Sequence, residues 1–489
     1  MRPPSTMNTR MGTVFTGLAA GFVGIIAMLT WWQVIVAGEL KQKDENNQTA
    51  YYEQRVERGF IVTADGVRLA GRSKETGANG DTIWQRRYPE GSLAAHVLGY
   101  DTRAHSRTGV ERAMNDVLTG STRNLGAVLG LLDGDEAQIG DDVHLTINAK
   151  AQRIAERELA ATGSPGSLVA LDPQSGKVLA MASYPTFSAS RLLRNFSSAA
   201  RGDALFNRAT QAALPPGSTF KVVTASAALE AGLVTPDSTF PGGSSYKTAS
   251  GPIQNFGGAS FGSHDLTYAL TNSINTTFAE IGVKLGDAKL RAQMAAFGFF
   301  EKPPVYGLPA NEVRASGLTG EDGTPLPDGT NFDEARTAIG QDKLTVSPLQ
   351  MALVAAAIGN QGAVPVPTVI DRVTRAGSRS VVSRPTPKAW KQAISPETAR
   401  QLTDMMKNVV TSGSGTAAKI PGVEVAGKTG TADTPSGNVT WFIAFAPAEH
   451  PTVAIAVAIE GQASGTTGGV KSAPIARMVL EALLGTGGE

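Results

Sequence analysis

Residues 215–229 read Pro215-Pro216-Gly217-Ser218-Thr219-Phe220-Lys221, then Val222-Val223-Thr224-Ala225-Ser226-Ala227-Ala228-Leu229. Turn-forming residues lead into an apolar run able to carry a helix. A helix starting at Pro216 or Gly217 places Ser218 in its first turn. Positions i and i+3 share a helix face, so Ser218 and Lys221 project together. A serine at a helix N-terminus beside an amine is one way to build an activated nucleophile. Taken alone, the Ser-x-x-Lys spacing is ambiguous, because Ser244 and Lys247 repeat it. That copy follows Pro241-Gly242-Gly243 and runs into polar residues, so it reads as loop.

Two other short patterns give the first one context. Ser273-Ile274-Asn275 sits inside the helical run Leu266 to Leu285. Residues i and i+2 lie on different faces of a regular helix, so both side chains reach one site only if the backbone breaks there. The alternative is a capping residue between two helices. Ser-x-Asn also occurs at Ser436-Gly437-Asn438, so this triplet too is weak alone. Lys428-Thr429-Gly430-Thr431 holds the one Lys-Thr-Gly of the chain and lies between the strand-like runs 423–426 and 441–445. On a strand Lys428 and Gly430 share a face and Thr429 takes the other. A glycine there is expected to let a substrate backbone approach the strand. Gly258-Ala259-Ser260-Phe261-Gly262 matches Gly-x-Ser-x-Gly but lacks the buried strand that a nucleophile elbow requires. The order Ser-x-x-Lys, Ser-x-Asn, Lys-Thr-Gly is far more specific than any of its parts.

The surrounding chain bounds the answer. Its 489 residues exceed one core, so an anchor and at least two folded modules are expected. A net charge of +1 gives no argument for nucleic acid. The chain has no cysteine, which excludes disulfides, thiolate metal sites and cysteine nucleophiles. Its histidines, His96, His105, His144, His264 and His450, stand singly without metal-ligand spacing. Neither a metal nor a cofactor is expected.

Residues 13–37 carry no charge, longer than the roughly 20 residues that cross a bilayer, with Trp31 and Trp32 near the far end. A cleaved signal peptide competes, Ile35-Val36-Ala37 being a weak cleavage-like site. The apolar run exceeds the ~7–15 residues of a signal core, which favours an uncleaved anchor. Arg2 and Arg10 balance Lys41 and Lys43, so charge alone leaves the orientation undecided. Residues 38–60 are polar, and Asp65-Gly66 signals a hairpin. Residues 140–148 alternate as a strand and lead into a helix over 149–161. Nothing in 38–150 gathers catalytic residue types, so it reads as a spacer or docking module.

A hairpin is expected over 167–183. Helices are expected at about 218–232, 265–287, 345–360, 395–411 and 471–484, and strands at about 423–432, 439–446 and 452–460. Antiparallel strands from both ends of a module, with helices between, predict an α+β fold: one sheet packed with helices. Residues 303–330, rich in Pro and Gly, read as a long loop, functional or mobile.

With these motifs in order, the chain resembles class B penicillin-binding proteins, most like the actinobacterial penicillin-binding protein A type. The likeness also covers Arg58-Gly59 through Leu69-Ala70, Gly140 through Gln152 (with Asn148 where Asp is usual), Asn255 through Phe278 and Gly340 through Ala352. The resemblance implies a cytoplasmic tail over 1–12, a transmembrane anchor over 13–37, a pedestal or dimerisation-like module over 38–150 and a penicillin-binding transpeptidase domain over 151–489. The implied activity is peptidoglycan D,D-transpeptidation through an acyl-enzyme on Ser218. Lys221, Ser273 and Lys428 would be catalytic, and Asn275, Thr429, Gly430 and Thr431 would bind substrate. Implied partners are stem peptides ending in D-Ala-D-Ala, β-lactams, the membrane, a membrane glycan polymerase and division proteins. The catalytic domain would lie outside the cytoplasm. Rival readings are a β-lactamase or carboxypeptidase with water as acceptor, a β-lactam sensor, and an idle division scaffold. No Glu-x-x-Leu-Asn stretch lies between Ser273 and Lys428, residues 1–12 are short for a signalling module, and all three motifs are intact.

Overall fold

The structure is a computed structural model that describes residues 6–32, 55–77, 80, 82–102, 106–121, 139–196, 202–320, 323–327 and 329–486. Helix α1 (Thr6–Trp31) contains a stretch, Met11–Trp31, long and apolar enough to cross a membrane, and its side chains from Met11 on are exposed. Residues 33–37 of the expected anchor, residues 38–54 and His105 lie outside the described residues.

The later elements, in chain order, are β1 (Ile61–Val62), β2 (Arg68–Thr76), β3 (Thr82–Arg87), β4 (Asp142–Leu145), α2 (Ala149–Ala161), β5 (Gly166–Leu171), β6 (Val178–Tyr184) and α3 (Lys221–Glu230). They continue with α4 (Leu266–Thr271), α5 (Asn275–Ala296), α6 (Pro348–Gly359), β7 (Ile370–Thr374), β8 (Val381–Ser383) and α7 (Pro396–Thr411). The chain closes with β9 (Ala426–Ala432), β10 (Asn438–Ala446), β11 (Val453–Gln462) and α8 (Gly468–Leu484).

The five-stranded sheet, ordered β9-β10-β11-β5-β6, is antiparallel throughout. Alternation along β5 divides the interior. Leu168 and Ala170 pack with Ala155, Leu159, Val479 and Leu480 of α2 and α8, while Val169 and Leu171 join the larger cluster that contains α3, α5 and α6. Both faces are covered, so β10 is buried at every position and reads from Trp441 to Ala446 as a continuous apolar run. Helix α6 is buried all round from Pro348 to Ile358 and packs on β5, β10 and β11. The strand β9 is an edge, paired only with β10. The predicted α+β arrangement, one sheet with helices on it, is the arrangement observed.

The N-terminal sheet has the order β8-β7-β4-β1-β2-β3. The Asp65-Gly66 turn joins β1 and β2 as expected, and Asn148 caps α2 by accepting from the Ala151 N–H. The sheet nevertheless crosses the expected module boundary at 150, because β7 and β8 come from 370–383, β7 pairing onto β4 and β8 onto β7. Such a pairing spans more than two hundred positions and leaves no local signature in sequence. The long loop 303–330 is anchored as well: Glu312 accepts the Gly109 N–H through both carboxylate oxygens, and its carbonyl accepts the Thr210 hydroxyl.

Candidate active site

Three backbone segments meet at Ser218. Gly217–Phe220 forms a single 3₁₀ turn that feeds α3 at Lys221, so Ser218 sits in the first turn of a helical run, as expected. The turn is pressed against its neighbours. Gly217 has φ +52°, and a Cβ there would stand 2.4 Å from the Thr431 carbonyl oxygen. Its N–H donates to Gly340 O at 2.9 Å. Trp441 Nε1 donates to Pro215 O at 2.9 Å, and Thr219 Oγ1 to Pro216 O at 2.7 Å. The role expected for Gly430 shifts here. A Cβ at 430 would meet Pro216 O and Thr219 Cγ2, each at 2.8 Å, so the missing side chain makes room for the serine turn.

The helical run 265–287 breaks where the second motif needs it to break. Asp265 caps α4 by accepting from the Tyr268 N–H, α4 stops at Thr271, and α5 starts at Asn275. Between them Ser273 has φ +57°, uncommon for a residue with a side chain and associated with constrained sites. The break turns both side chains toward Lys221. Its Nζ donates to Ser273 O at 2.7 Å, to Asn275 Oδ1 at 2.7 Å and to Ser273 Oγ at 3.3 Å. Asn275 Nδ2 donates in turn to Gln254 O at 2.8 Å. From the opposite wall, Lys428 Nζ donates to Ser273 Oγ at 2.9 Å and to Thr429 O at 2.9 Å. Ser273 therefore bridges two lysines.

Both lysines are fully buried, and no carboxylate contacts either among the described residues. Burial, seconded by the cation Lys428, pushes the Lys221 ammonium well below its ordinary range. Burial alone pushes Lys428 down to about 7. Ser218, Ser273 and Asn275 are only half-buried, so the polar cluster opens to solvent on the serine side. The Ser218 hydroxyl makes no side-chain hydrogen bond among the described residues.

On the strand, Lys428 and Gly430 face the serine turn, while Thr429 and Thr431 face the N-terminal end of α8, as the alternation requires. Thr431 Oγ1 accepts from the Gly468 N–H at 3.4 Å. Thr429 Oγ1 lies 2.6 Å from Ser414 Oγ. Ser414 was not singled out from sequence. Its signal is the run Ser412-Gly413-Ser414-Gly415 after α7, where a Cβ on Gly413 would stand 2.4 Å from Thr271 O. Phe278, whose ring centroid is 5.4 Å from Lys221 Nζ, was missed too, because one aromatic on an apolar helix face carries no signal. The second Ser-x-x-Lys lies on an exposed hairpin, with Ser244 and Lys247 both in solvent. Ser260 follows a 3₁₀ turn and contacts Gly242 O at 3.4 Å.

Residues 166–481 match the penicillin binding protein transpeptidase domain, and residues 58–141 match the penicillin binding protein A dimerisation domain. The chain belongs to the penicillin-binding protein transpeptidase family. This penicillin-binding protein is 35% identical to the peptidoglycan D,D-transpeptidase PbpA of Mycolicibacterium smegmatis, over 98% of this chain and 100% of that one. It is 32% identical to the protein of the same name from Mycobacterium tuberculosis, over 98% and 99%. It also superimposes on the ceftriaxone acyl-enzyme complex of penicillin-binding protein A from M. tuberculosis with a TM-score of 0.78, at 31% identity, covering 88% of this chain and 99% of that one.

Proposed function

We propose that this penicillin-binding protein is a peptidoglycan D,D-transpeptidase whose nucleophile is Ser218. The observation that carries the assignment is Ser273 bridging Lys221 and Lys428, two buried lysines without a counter-anion among the described residues, beside a half-exposed serine. A neutral Lys221 has two N–H bonds and one lone pair, one donor fewer than the three contacts it makes. The two short contacts, to Ser273 O and Asn275 Oδ1, use its two N–H bonds, the longer one to Ser273 Oγ is given up, and the lone pair left by the lost proton can take the Ser218 proton.

In acylation the Ser218 Oγ–carbonyl carbon bond forms as the D-Ala-D-Ala amide C–N bond breaks. The serine proton travels through Lys221 and Ser273 to the departing amine. In transfer, an acceptor amine forms the new C–N bond, the ester C–O bond breaks, and a proton returns to Ser218. Asn275 holds the substrate amide, and the open edge of β9 receives the stem as an added strand. Lys428 and Thr429 bind the terminal carboxylate, and Gly430 keeps the serine turn close. The N–H groups of Ser218 and Thr431 stabilise the oxyanion, where one donor is typically worth about 2.7–4 kcal/mol.

The division of the chain follows the same reading: tail 1–12, anchor 13–37, pedestal 38–150, catalytic domain 151–489. The substrate chemistry lies outside the cytoplasm, which sets the N-terminus inside and makes a membrane glycan polymerase and division proteins the natural partners. Intact-mass measurement after penicillin treatment should show one covalent adduct, lost in Ser218→Ala. A donor ester should turn over faster, with product shifting to the amide, when an amine is added. An adduct that survives Ser218→Ala would reject the nucleophile, and hydrolysis unaffected by amine would reassign the enzyme as a carboxypeptidase or β-lactamase.

A further inference from the structure

The hairpin β7–β8 and the chain after it form a surface of one-sided charge. From Arg372 to Pro396 there are six Lys or Arg and no Asp or Glu, in a chain whose totals, 44 and 43, are balanced. Asp371, at the base, is already bound by Lys177 and Arg372. Arg375, Arg379, Arg384 and Lys388 are exposed, and no ion pair or hydrogen bond holds their side chains among the described residues. Beside them Val381 is 50% and Val382 48% exposed, on the outermost strand of the sheet. Cations around exposed aliphatic side chains are the pattern of a surface that rests in a lipid headgroup layer.

Position is compatible with that occupant. The hairpin is three strands from β1 in one sheet, about 14 Å at ordinary strand spacing. Residues 33–54 join that module to α1, and a segment of that length spans at most about 75 Å. A chain anchored by α1 therefore holds the hairpin within reach of the bilayer that anchors it. We propose that the β7–β8 hairpin, through Arg375, Arg379, Arg384 and Lys388 with Val381 and Val382, docks on anionic phospholipid headgroups of the anchoring membrane and sets the height and tilt of the catalytic domain. The proposal rests on the anchor reading of α1. A simpler role for the cations is guarding an edge strand against pairing. Guarding needs no particular lipid, and this separates the two roles.

The absence of cysteine allows a single probe. The full chain carrying Val382→Cys, labelled with an environment-sensitive fluorophore, is placed at one copy per nanodisc. Retention in the disc tests the anchor separately. Discs containing phosphatidylglycerol should give a blue shift that phosphatidylcholine discs do not, and high salt should remove it. A probe at Val283→Cys, 50% exposed on α5, should not respond. Arg379→Ser should lower the ratio of docked to free hairpin about fivefold, as one cation near an anionic surface implies. Replacing all four cations by Ser should abolish the shift while penicillin acylation stays unchanged. Equal spectra in the two lipids, or a shift that survives the fourfold replacement, overturns the proposal. So does the same shift on adding soluble polyphosphate to phosphatidylcholine discs, which would assign a soluble polyanion, or a shift that needs a second copy, which would assign strand pairing.

Discussion

The pedestal and the active site both bury charge, and they treat it in opposite ways. In the pedestal, Glu111 is fully buried and takes Arg58 Nη2 at 3.0 Å, Arg86 Nε at 2.6 Å and the Tyr88 hydroxyl at 3.1 Å. Asp101 takes Arg107 at 2.9 Å and Arg58 at 3.4 Å. Burial works against the Asp101 charge, yet Arg58 and Arg107 hold its carboxyl below the usual range. In the active site Lys221 and Lys428 are as deeply buried, share Ser273, and face no acid among the described residues. Pairing keeps a buried group charged and makes it structural; denying it a partner leaves the amine ready to give up its proton.

Four measurements break or sharpen that contrast. The largest effect belongs to Lys221→Met, which should slow penicillin acylation on the order of 10²–10⁴-fold, the usual worth of a general base. Its urea midpoint should hold or rise, because an unpaired buried amine is removed. A variant that acylates normally, or that unfolds, would place Lys221 in the pedestal's class of charge.

Glu111→Ala should do the reverse. Stripping the anion from a buried network costs about 3–5 kcal/mol of stability, read from urea unfolding, while the folded fraction keeps its acylation rate. A loss below about 1 kcal/mol, the scale of an exposed pair, would show that the network contributes little.

Gly430→Ala tests how closely the site is assembled. The new methyl would push on Pro216 O and Thr219, and a misplacement of about 1 Å costs on the order of 10² in rate. Acylation should fall with little change in the unfolding midpoint; an unchanged rate would return Gly430 to the strand-approach role read from its sequence.

The smallest effects are in pH. Acylation should rise with pH as Lys221 loses its proton and decline above about 7 as Lys428 loses the charge that holds the substrate carboxylate. A rate flat across neutrality would contradict both assignments. Stability should follow the same division. Lys428 has its native pKa at about 7 against 10.5 for the ordinary side chain, so the unfolded chain binds more protons between these values and stability rises with pH there. Asp101 is held below 3.8, so its contribution is present above that value and is lost as pH falls through the lowered one.

Much of this was legible in sequence because motifs and periodicity are local. Ser218 to Lys221, the hairpin of β5 and β6, the helix α2 and the strand flanking Lys428 rest on neighbours within a few positions. The break at Ser273 could be stated only as a condition. A helix continuing through 272–274 has similar local propensities, and it is the contacts with Lys221 and Lys428 that accompany the left-handed residue. Ser414 and Phe278 escaped because their roles exist only against partners far away in the chain. The pairing of β7 with β4 escaped for the same reason.

By itself, then, the sequence determined the residue types of the site, their order, the apolar span of α1 and the strands and helices that make one α+β sheet module. Tertiary structure decided that Ser273 joins two lysines, that Gly430 serves the serine turn, and that residues 370–383 complete the pedestal sheet. The physical reason is range. Backbone propensity and side-chain period act over a few residues, whereas desolvation of an amine and the closeness of two backbones exist only once distant segments have packed together.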